Sequence, residues 1–216
     1  MSADSQSKAP RSPRGSRYKL GQHGSRKQEQ QRLSEKFQTS VTHKTHESEH
    51  VIGCKALNQP SSEEKRGGSP QARKLENEAW AYQEQKELHR DHTGTGTRKK
   101  VGKDGFTSQR YRESQHRLLE AGDVSSAIQL NQLGYAFQAK FQDQEDTPAR
   151  KAADSSYKKM VKNMDKVTYA HGDQIKVVKV DSIAKAEMYL AREAARTGKW
   201  PTEAQIKAAK KKFGES

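Results

Sequence analysis

The sequence predicts an α+β protein in which helices dominate. Several segments repeat apolar residues every three or four positions or begin with a helix-capping residue, which is typical of amphipathic helices. Two segments, TSVTHKTHESEHVIG and VTYAHGDQIKVVKV, are instead rich in β-branched residues and favour strands. Only 30% of the 216 residues are apolar and 31% are charged, so we expect no large uniform core.

The composition narrows the function classes. No apolar run approaches the roughly 18 residues that span a bilayer, and the first residues lack the apolar stretch of a secretory signal. Cys54 is the single cysteine, so no internal disulfide is expected. The chain holds 41 Lys and Arg against 27 Asp and Glu, a net charge of +14. This charge favours a polyanionic partner, most commonly nucleic acid, although an acidic protein or an anionic membrane surface would satisfy it too.

Three regions differ in their residue usage. Residues 1–46 hold ten Lys or Arg against three Asp or Glu and few large apolar side chains. We therefore predict that residues 1–38 form a disordered basic tail. Residues 39–145 are predicted to form the core that carries the candidate site. Residues 146–216 are predicted to form a helical extension with a β-hairpin.

The first half of the chain reads as a strand followed by two helices. After the segment 39–53, NQPSSEEKRGGSP is a loop because it contains several Pro and Gly residues. Ser69 followed by Pro70 is a favourable helix start, and the predicted helix continues through QARKLENEAWAYQEQKELH. A glycine-rich basic loop, DHTGTGTRKKVGKDG, separates it from a predicted helix over about 108–120.

The second half is predicted to hold four helices and a hairpin. A helix capped by Asp123 has its apolar stripe at Ala127, Leu130, Leu133, Phe137 and Phe141. Gly134 in its middle costs about 1 kcal/mol relative to alanine, so we expect close packing there. A helix over about 149–164 precedes a hairpin that turns at Gly172 and Asp173. Asp181 caps the next helix, Gly198 ends it, and Thr202 with Gln205 has capping-box spacing for the last one.

Five of the eight histidines fall in two groups, THKTHESEH and LHRDH. Within the first, HESEH matches the H-E-x-x-H motif of zinc metalloproteases, in which two histidines on one helical face bind the ion. However, the Thr and Val residues on both sides of this motif favour a strand over a helix. Such proteases also tend to have a sheet before the zinc-binding helix, and here only the predicted disordered tail precedes the motif. We keep the zinc protease as a minor alternative.

A second interpretation pairs Glu49 and His50 with His89 and His92. A one-metal phosphodiesterase needs ligands from two segments and a separate histidine that takes a proton from the attacking water. His89 and His92 lie three positions apart, so on a helix they share a face. Neighbouring residues of a regular strand point to opposite faces, so Glu49 and His50 need a bulge or a strand end to converge. Surface histidines without a shared role remain the alternative.

These residues resemble a known family. The order SEH at 48–50, HRDHTGTG at 89–96 and YRESQ at 111–115 is similar to bacterial polymorphic-toxin nucleases of the HNH/endonuclease VII superfamily. The resemblance covers about residues 45–140. It implies a ββα-metal core that cuts DNA or RNA with a divalent metal ion (Mg, Mn, Zn or Ni). It also implies that Glu49 is a metal ligand, His50 the general base, and His89 and His92 catalytic ligands or phosphate contacts.

Basic residues near these motifs are candidates for nucleic-acid binding. They are Arg90, Arg98, Lys99, Lys100, Arg110 and Arg112. The alternative for these residues is a solvated helix face.

The sequence thus predicts a metal-dependent endonuclease toxin, acting on DNA more than on RNA, that an acidic immunity protein neutralises. Without a signal sequence, we expect it to be made in the bacterial cytoplasm. A secretion apparatus or its adaptor would deliver it to the cytoplasm of a target cell. The alternative is a non-catalytic basic nucleic-acid-binding protein.

Overall fold

The computed structural model describes residues 18–58, 68–96, 101–102, 105–142 and 145–214. A 3₁₀ turn, His23–Ser25, precedes the first helix. The helices are α1 Arg26–Phe37, α2 Cys54–Asn58, α3 Pro70–Glu78, α4 Lys86–Asp91, α5 Ser108–Glu120, α6 Val124–Ala136, α7 Ala139–Gln142, α8 Pro148–Asn163, α9 Ser182–Thr197 and α10 Glu203–Phe213. The strands are β1 His46–His50, β2 Ala81–Gln85, β3 Lys166–His171 and β4 Gln174–Lys179. The predicted helix-dominant α+β class is confirmed.

The strands form two separate antiparallel pairs. Strand β1 pairs with β2, with Glu49 opposite Tyr82, and helix α4 follows β2 without a break. Strand β3 pairs with β4 around the predicted turn at Gly172 and Asp173. No helix in the described part of the chain is long and apolar enough to cross a membrane.

One hydrophobic cluster joins the predicted core to the predicted extension. Buried side chains that follow β1, such as Ile52 and Leu57, belong to the same cluster as Met160 of α8, Tyr169 of β3 and Met188 of α9. The segment after residue 146 therefore supplies part of the core on which β1 and β2 rest. The predicted division at 145/146 does not correspond to a gap in packing.

The prediction of a disordered tail over residues 1–38 is wrong for its second half. Residues 18–38 are ordered, and helix α1 buries Leu33 completely against Val41 and Ala152. The backbone N–H of His23 also donates to the carbonyl of Ala79 at 2.9 Å. A short apolar stripe is enough here because helix α8 provides the surface that covers it. Residues 1–17 lie outside the described residues.

Strand β2 replaces the second half of a predicted helix. Helix α3 ends at Glu78, and the segment AYQEQ pairs with β1 instead of continuing as a helix. The backbone N–H and C=O groups of buried β1 need partners, and pairing with β2 provides them. This tertiary requirement outweighs the helical preference of alanine, glutamine and glutamate.

Helix α6 is confirmed, but the predicted apolar stripe is only partly buried. Ala127 and Phe141 are buried as predicted. Leu133 and Phe137 of the predicted stripe are 44% and 45% exposed, whereas Asn131 and Gln132 are 1% exposed. These two amides belong to a buried polar network, so the orientation of the helix is set by hydrogen bonds as well as by apolar burial. The predicted helix caps at Ser69, Asp123, Asp181 and Thr202 are confirmed.

A buried arginine of α9, Arg192, contacts β2, α6 and α8. Arg192 is 2% exposed and donates to Glu84 at 2.8 Å and to Asp154 at 3.1 Å. Its guanidinium lies over aromatic rings of Tyr82, Tyr135, Phe141 and Tyr157, at 4.6 to 5.8 Å from the ring centroids. Burial alone lowers the pKa of Arg192, but Glu84, Tyr82 and Asp154 raise it well above its ordinary value. The arginine is therefore a charged link between four elements.

Candidate active site

A cleft of about 280 Å³ opens between β1, α4 and the start of α5. All four predicted catalytic side chains, Glu49, His50, His89 and His92, line it. The lining also includes Lys55, Tyr111, Arg112 and Asn131. Residues that are about forty positions apart in the chain thus meet in one place, because β1 pairs with β2 and α4 follows β2.

Glu49 and His89 form a buried pair on the cleft wall. His89 Nδ1 is hydrogen-bonded to Glu49 Oε2, and Asn131 Nδ2 donates to Glu49 Oε1 at 2.6 Å. Burial raises the pKa of Glu49, but His89 and Asn131 outweigh it and hold that pKa below its ordinary value. For His89, burial lowers the pKa, whereas Glu49 and Glu47 raise it to a net value above the ordinary one. Each partner thus favours the charged form of the other.

His92 lines the cleft but both of its ring nitrogens are engaged with the backbone. The N–H of Gly94 donates to His92 Nδ1 at 3.0 Å, so His92 Nε2 carries the proton and donates to the carbonyl of Asn131 at 2.9 Å. Its ring packs against Tyr111 and Tyr135 at centroid distances of 5.3 and 4.6 Å. The structure thus brings His92 beside Asn131 and does not bring its nitrogens to the Glu49–His89 pair.

Gly134 explains how His92 approaches helix α6. A Cβ atom at Gly134 would lie 2.3 Å from His92 Nε2, which is a steric clash. The predicted close packing at Gly134 is therefore confirmed, and its partner is the ring of His92. The glycine allows the hydrogen bond that fixes Asn131, which in turn holds the carboxylate of Glu49.

His50 ends strand β1 and lines the cleft beside Glu49. Its ring stacks on that of His23 at a centroid distance of 4.4 Å, and His23 Nδ1 is 3.0 Å from Ser48 Oγ. His23, His50 and Glu76 also place one possible ligand atom each within 4.8 Å of one another. Glu49 and His50 keep the alternation of a regular strand, and the strand end lets both reach the same cleft.

The geometry of β1 does not suit the H-E-x-x-H motif. His46 and His50 occupy the two ends of a strand, so their Cα atoms are about 13 Å apart at about 3.3 Å per residue. His46 is 1% exposed, and its Nε2 is 3.2 Å from the carbonyl of Ala149. Burial lowers the pKa of His46 more than Ala149 and Glu84 raise it. His46 is a core histidine that links β1 to α8.

The three predicted basic residues that the structure describes lie in three different places. Arg112 lines the cleft and donates to the carbonyl of Gly96 at 2.8 Å, and burial lowers its pKa more than Glu113 raises it. Arg90 pairs with Glu47 at 3.0 Å on the exposed side of α4. Arg110 lines a separate surface pocket with Phe106. The remaining three, Arg98, Lys99 and Lys100, lie outside the described residues.

Gln115 holds the backbone that follows β1. It is fully buried, accepts from the N–H of Gly53 at 3.0 Å and donates to the carbonyls of Val51 and Ala127 at 2.8 and 3.0 Å. The YRESQ segment thus supplies one ring against His92, one guanidinium in the cleft and one amide that positions the strand end. Sequence reasoning missed Asn131 and Lys55. Gly134, a glycine inside a helix, was the signal that pointed toward Asn131.

The fold and site define a helix-dominant α+β protein with a buried Glu–His pair in a basic cleft. The chain belongs to the Agrobacterium VirD5 protein family, whose family model matches residues 1–214. This is a type IV secretion effector family, which is consistent with the predicted delivery into a target cell by a secretion system. No curated protein and no solved structure matches the chain.

Proposed function

We propose that the chain is an effector that cleaves phosphodiester bonds of nucleic acid in the cell that receives it. The observation that supports this proposal is the buried Glu49–His89 pair, which shares one cleft with His50, Lys55 and Arg112. A carboxylate, two imidazoles and two cations are the groups that phosphodiester cleavage uses for proton transfer and charge stabilisation. The net charge of +14 favours binding of the polyanionic substrate.

The arrangement of β1, β2 and α4 supports a ββα-metal type of site. The second of two antiparallel strands is followed directly by a helix. Glu49 and His50 come from β1, and His89 comes from that helix. Glu49 and His89 would hold a divalent ion, since one or two protein ligands with waters suffice for such ions at phosphate sites. The ion would act as a Lewis acid on the phosphate and lower the pKa of a bound water. His92 would not join it without losing its bonds to Gly94 and Asn131.

The residues of the cleft then have separate roles in proton transfer, phosphate binding and positioning. His50, at the end of β1, takes a proton from the attacking nucleophile. Arg112 and Lys55 bind the nonbridging phosphate oxygens and stabilise the charge that develops on them. Asn131 keeps the carboxylate of Glu49 in place, and His92 keeps Asn131 in place.

The test is cleavage of plasmid DNA and of single-stranded RNA by the purified chain, with Mg²⁺, Mn²⁺, Zn²⁺ or Ni²⁺ and with EDTA. We expect His50→Gln and Glu49→Gln each to lower the cleavage rate at least about a hundredfold, the scale of lost general acid–base catalysis. His43→Gln is the matched control, because His43 is an exposed histidine in the turn before β1. Circular dichroism confirms that each variant is folded.

The outcomes separate the candidates. Cleavage that EDTA abolishes supports the metal-dependent site. Cleavage of RNA alone in EDTA would support proton transfer by the pair without an ion, because RNA supplies its own 2′-hydroxyl as the nucleophile. Salt-dependent binding of nucleic acid without cleavage under any condition would favour the non-catalytic binding protein. Equal rates for wild type, Glu49→Gln and His50→Gln would contradict the proposed site.

Delivery and neutralisation are part of the same proposal. The chain would leave the producing bacterium through a type IV secretion system, as its family membership suggests. A producing cell that makes a nuclease needs an inhibitor, and an acidic immunity protein would match the basic surface of this chain.

A further inference from the structure

A second group of metal-binding side chains lies away from the cleft, where the β3–β4 hairpin meets helix α5. His116 and Glu120 are one helical turn apart on the same face of α5, and His171 is the last residue of β3. Their ligand atoms all lie within 4.8 Å of one another. We propose that these three side chains bind a Zn²⁺ ion that fastens the hairpin to α5.

The distances are close to those of a zinc site. His116 Nε2 is 3.5 Å and His171 Nδ1 is 2.6 Å from Glu120 Oε1. Ligand atoms about 2.0–2.1 Å from a tetrahedral zinc ion are separated by about 3.4 Å. The His116–Glu120 spacing already has this value. The His171 side chain, 45% exposed at the strand end, needs to move outward by less than 1 Å.

The orientation of His116 is the one that a metal ligand needs. His116 Nδ1 donates to the carbonyl of Ala56 at 2.7 Å, so Nδ1 carries a proton and Nε2 is the ring nitrogen that faces Glu120. Histidines that bind metals usually donate their other ring N–H to a carboxylate or a backbone carbonyl in this way. Tyr169 packs edge-on against the ring at 5.8 Å and restricts its rotation.

Two imidazoles and a carboxylate suit zinc better than Mg²⁺ or Ca²⁺, which prefer oxygen ligands. Glu120 is 35% exposed, so an ion has access from solvent and a water molecule can complete the coordination. The hairpin has reason to be fastened, because a two-stranded sheet is marginally stable alone. Its outer residues Ile175 and Val177 are 48% and 52% exposed.

The experiment measures zinc binding by the full chain after removal of metal with EDTA. Zinc stoichiometry and affinity are compared for wild type, His171→Gln and Glu120→Gln, with His43→Gln as the matched surface control. We expect His171→Gln and Glu120→Gln to lose one equivalent of zinc, or to bind it at least about tenfold more weakly, the smallest effect usual for groups around a metal. The control is expected to match wild type.

Two further readouts identify where the ion binds. Co²⁺ bound in place of Zn²⁺ should give visible absorption bands in wild type. His171→Gln should lack these bands, whereas Glu49→Gln, which changes the cleft, should keep them. Zinc should also slow hydrogen exchange of the β3–β4 amides in wild type and not in His171→Gln. Unchanged zinc stoichiometry and affinity in both α5–β3 variants, or hairpin exchange that zinc does not slow, would overturn the proposal.

Discussion

Replacing Arg192 by methionine tests whether the buried ion network holds the four elements together. Methionine keeps an unbranched side chain of similar length, so the aromatic rings around it stay covered while the charge is removed. Glu84, which is completely buried, then lacks the guanidinium that donates to it at 2.8 Å. Breaking one side of a buried ion pair costs about 3–5 kcal/mol of unfolding free energy.

This cost corresponds to a large change in melting temperature. For a chain of this size, 1 kcal/mol shifts the midpoint by about 2–4 °C, so the expected decrease is about 6–20 °C. Urea denaturation followed by far-ultraviolet circular dichroism gives the free energy, and calorimetry gives the midpoint. Adding Glu84→Gln to Arg192→Met should restore part of the loss, because the amide leaves no unpaired charge.

Arg196→Met is the matched control. Arg196 lies one turn further along α9 and also pairs with Asp154, but its side chain is 25% exposed. Removing this more solvated charge should cost about 0–1 kcal/mol. An Arg192→Met loss no greater than that of Arg196→Met would refute the argument that desolvated charge pairing holds these elements together.

Two other perturbations test the site. Gly134→Ala should destabilise the chain by about 1–3 kcal/mol in urea denaturation despite alanine's better helix propensity, because its Cβ would clash with His92. Gly53→Ala, whose Cβ would meet its nearest neighbour at an ordinary 3.5 Å, should cost less, and the reverse order would contradict the packing argument. In metal-free protein, the depressed pKa of Glu49 contributes stability above its ordinary 4.5, which is lost as the pH falls. The raised pKa of His89 contributes stability below its ordinary 6.5, which is lost as the pH rises. The difference in unfolding free energy between wild type and His89→Gln should therefore be largest between pH 4.5 and pH 6.5. A difference that does not change with pH would contradict the charge pairing of Glu49 with His89.

The local part of the fold could be predicted from the sequence. The starts of α3, α6, α9 and α10 follow from capping residues whose side chains accept from backbone N–H groups three positions later. The β3–β4 turn follows from a Gly-Asp pair between β-branched segments. Such interactions involve neighbours in the chain, so the sequence pattern contains them completely.

The membership of the cleft was also largely predictable. Glu49, His50, His89 and His92 stand out in the sequence because two histidine groups recur in a chain with eight histidines. The sequence does not determine which hydrogen-bond partner each of these side chains has in the folded chain. His89 is hydrogen-bonded to Glu49, whereas the N–H of Gly94 and the carbonyl of Asn131 occupy the two nitrogens of His92.

The remaining features depend on partners that are distant in the chain. The segment AYQEQ is a strand because β1 requires hydrogen-bond partners, although its residues favour a helix. Helix α6 turns its amides inward because Glu49 lies 82 residues earlier and accepts from Asn131. Arg192 is buried because Glu84, 108 residues away, offers the opposite charge. Composition and periodicity determined which segments are helical and how the helices begin. Which faces of these helices turn inward was decided only in the tertiary structure, because it depends on the pairing of buried polar groups that are distant in the chain.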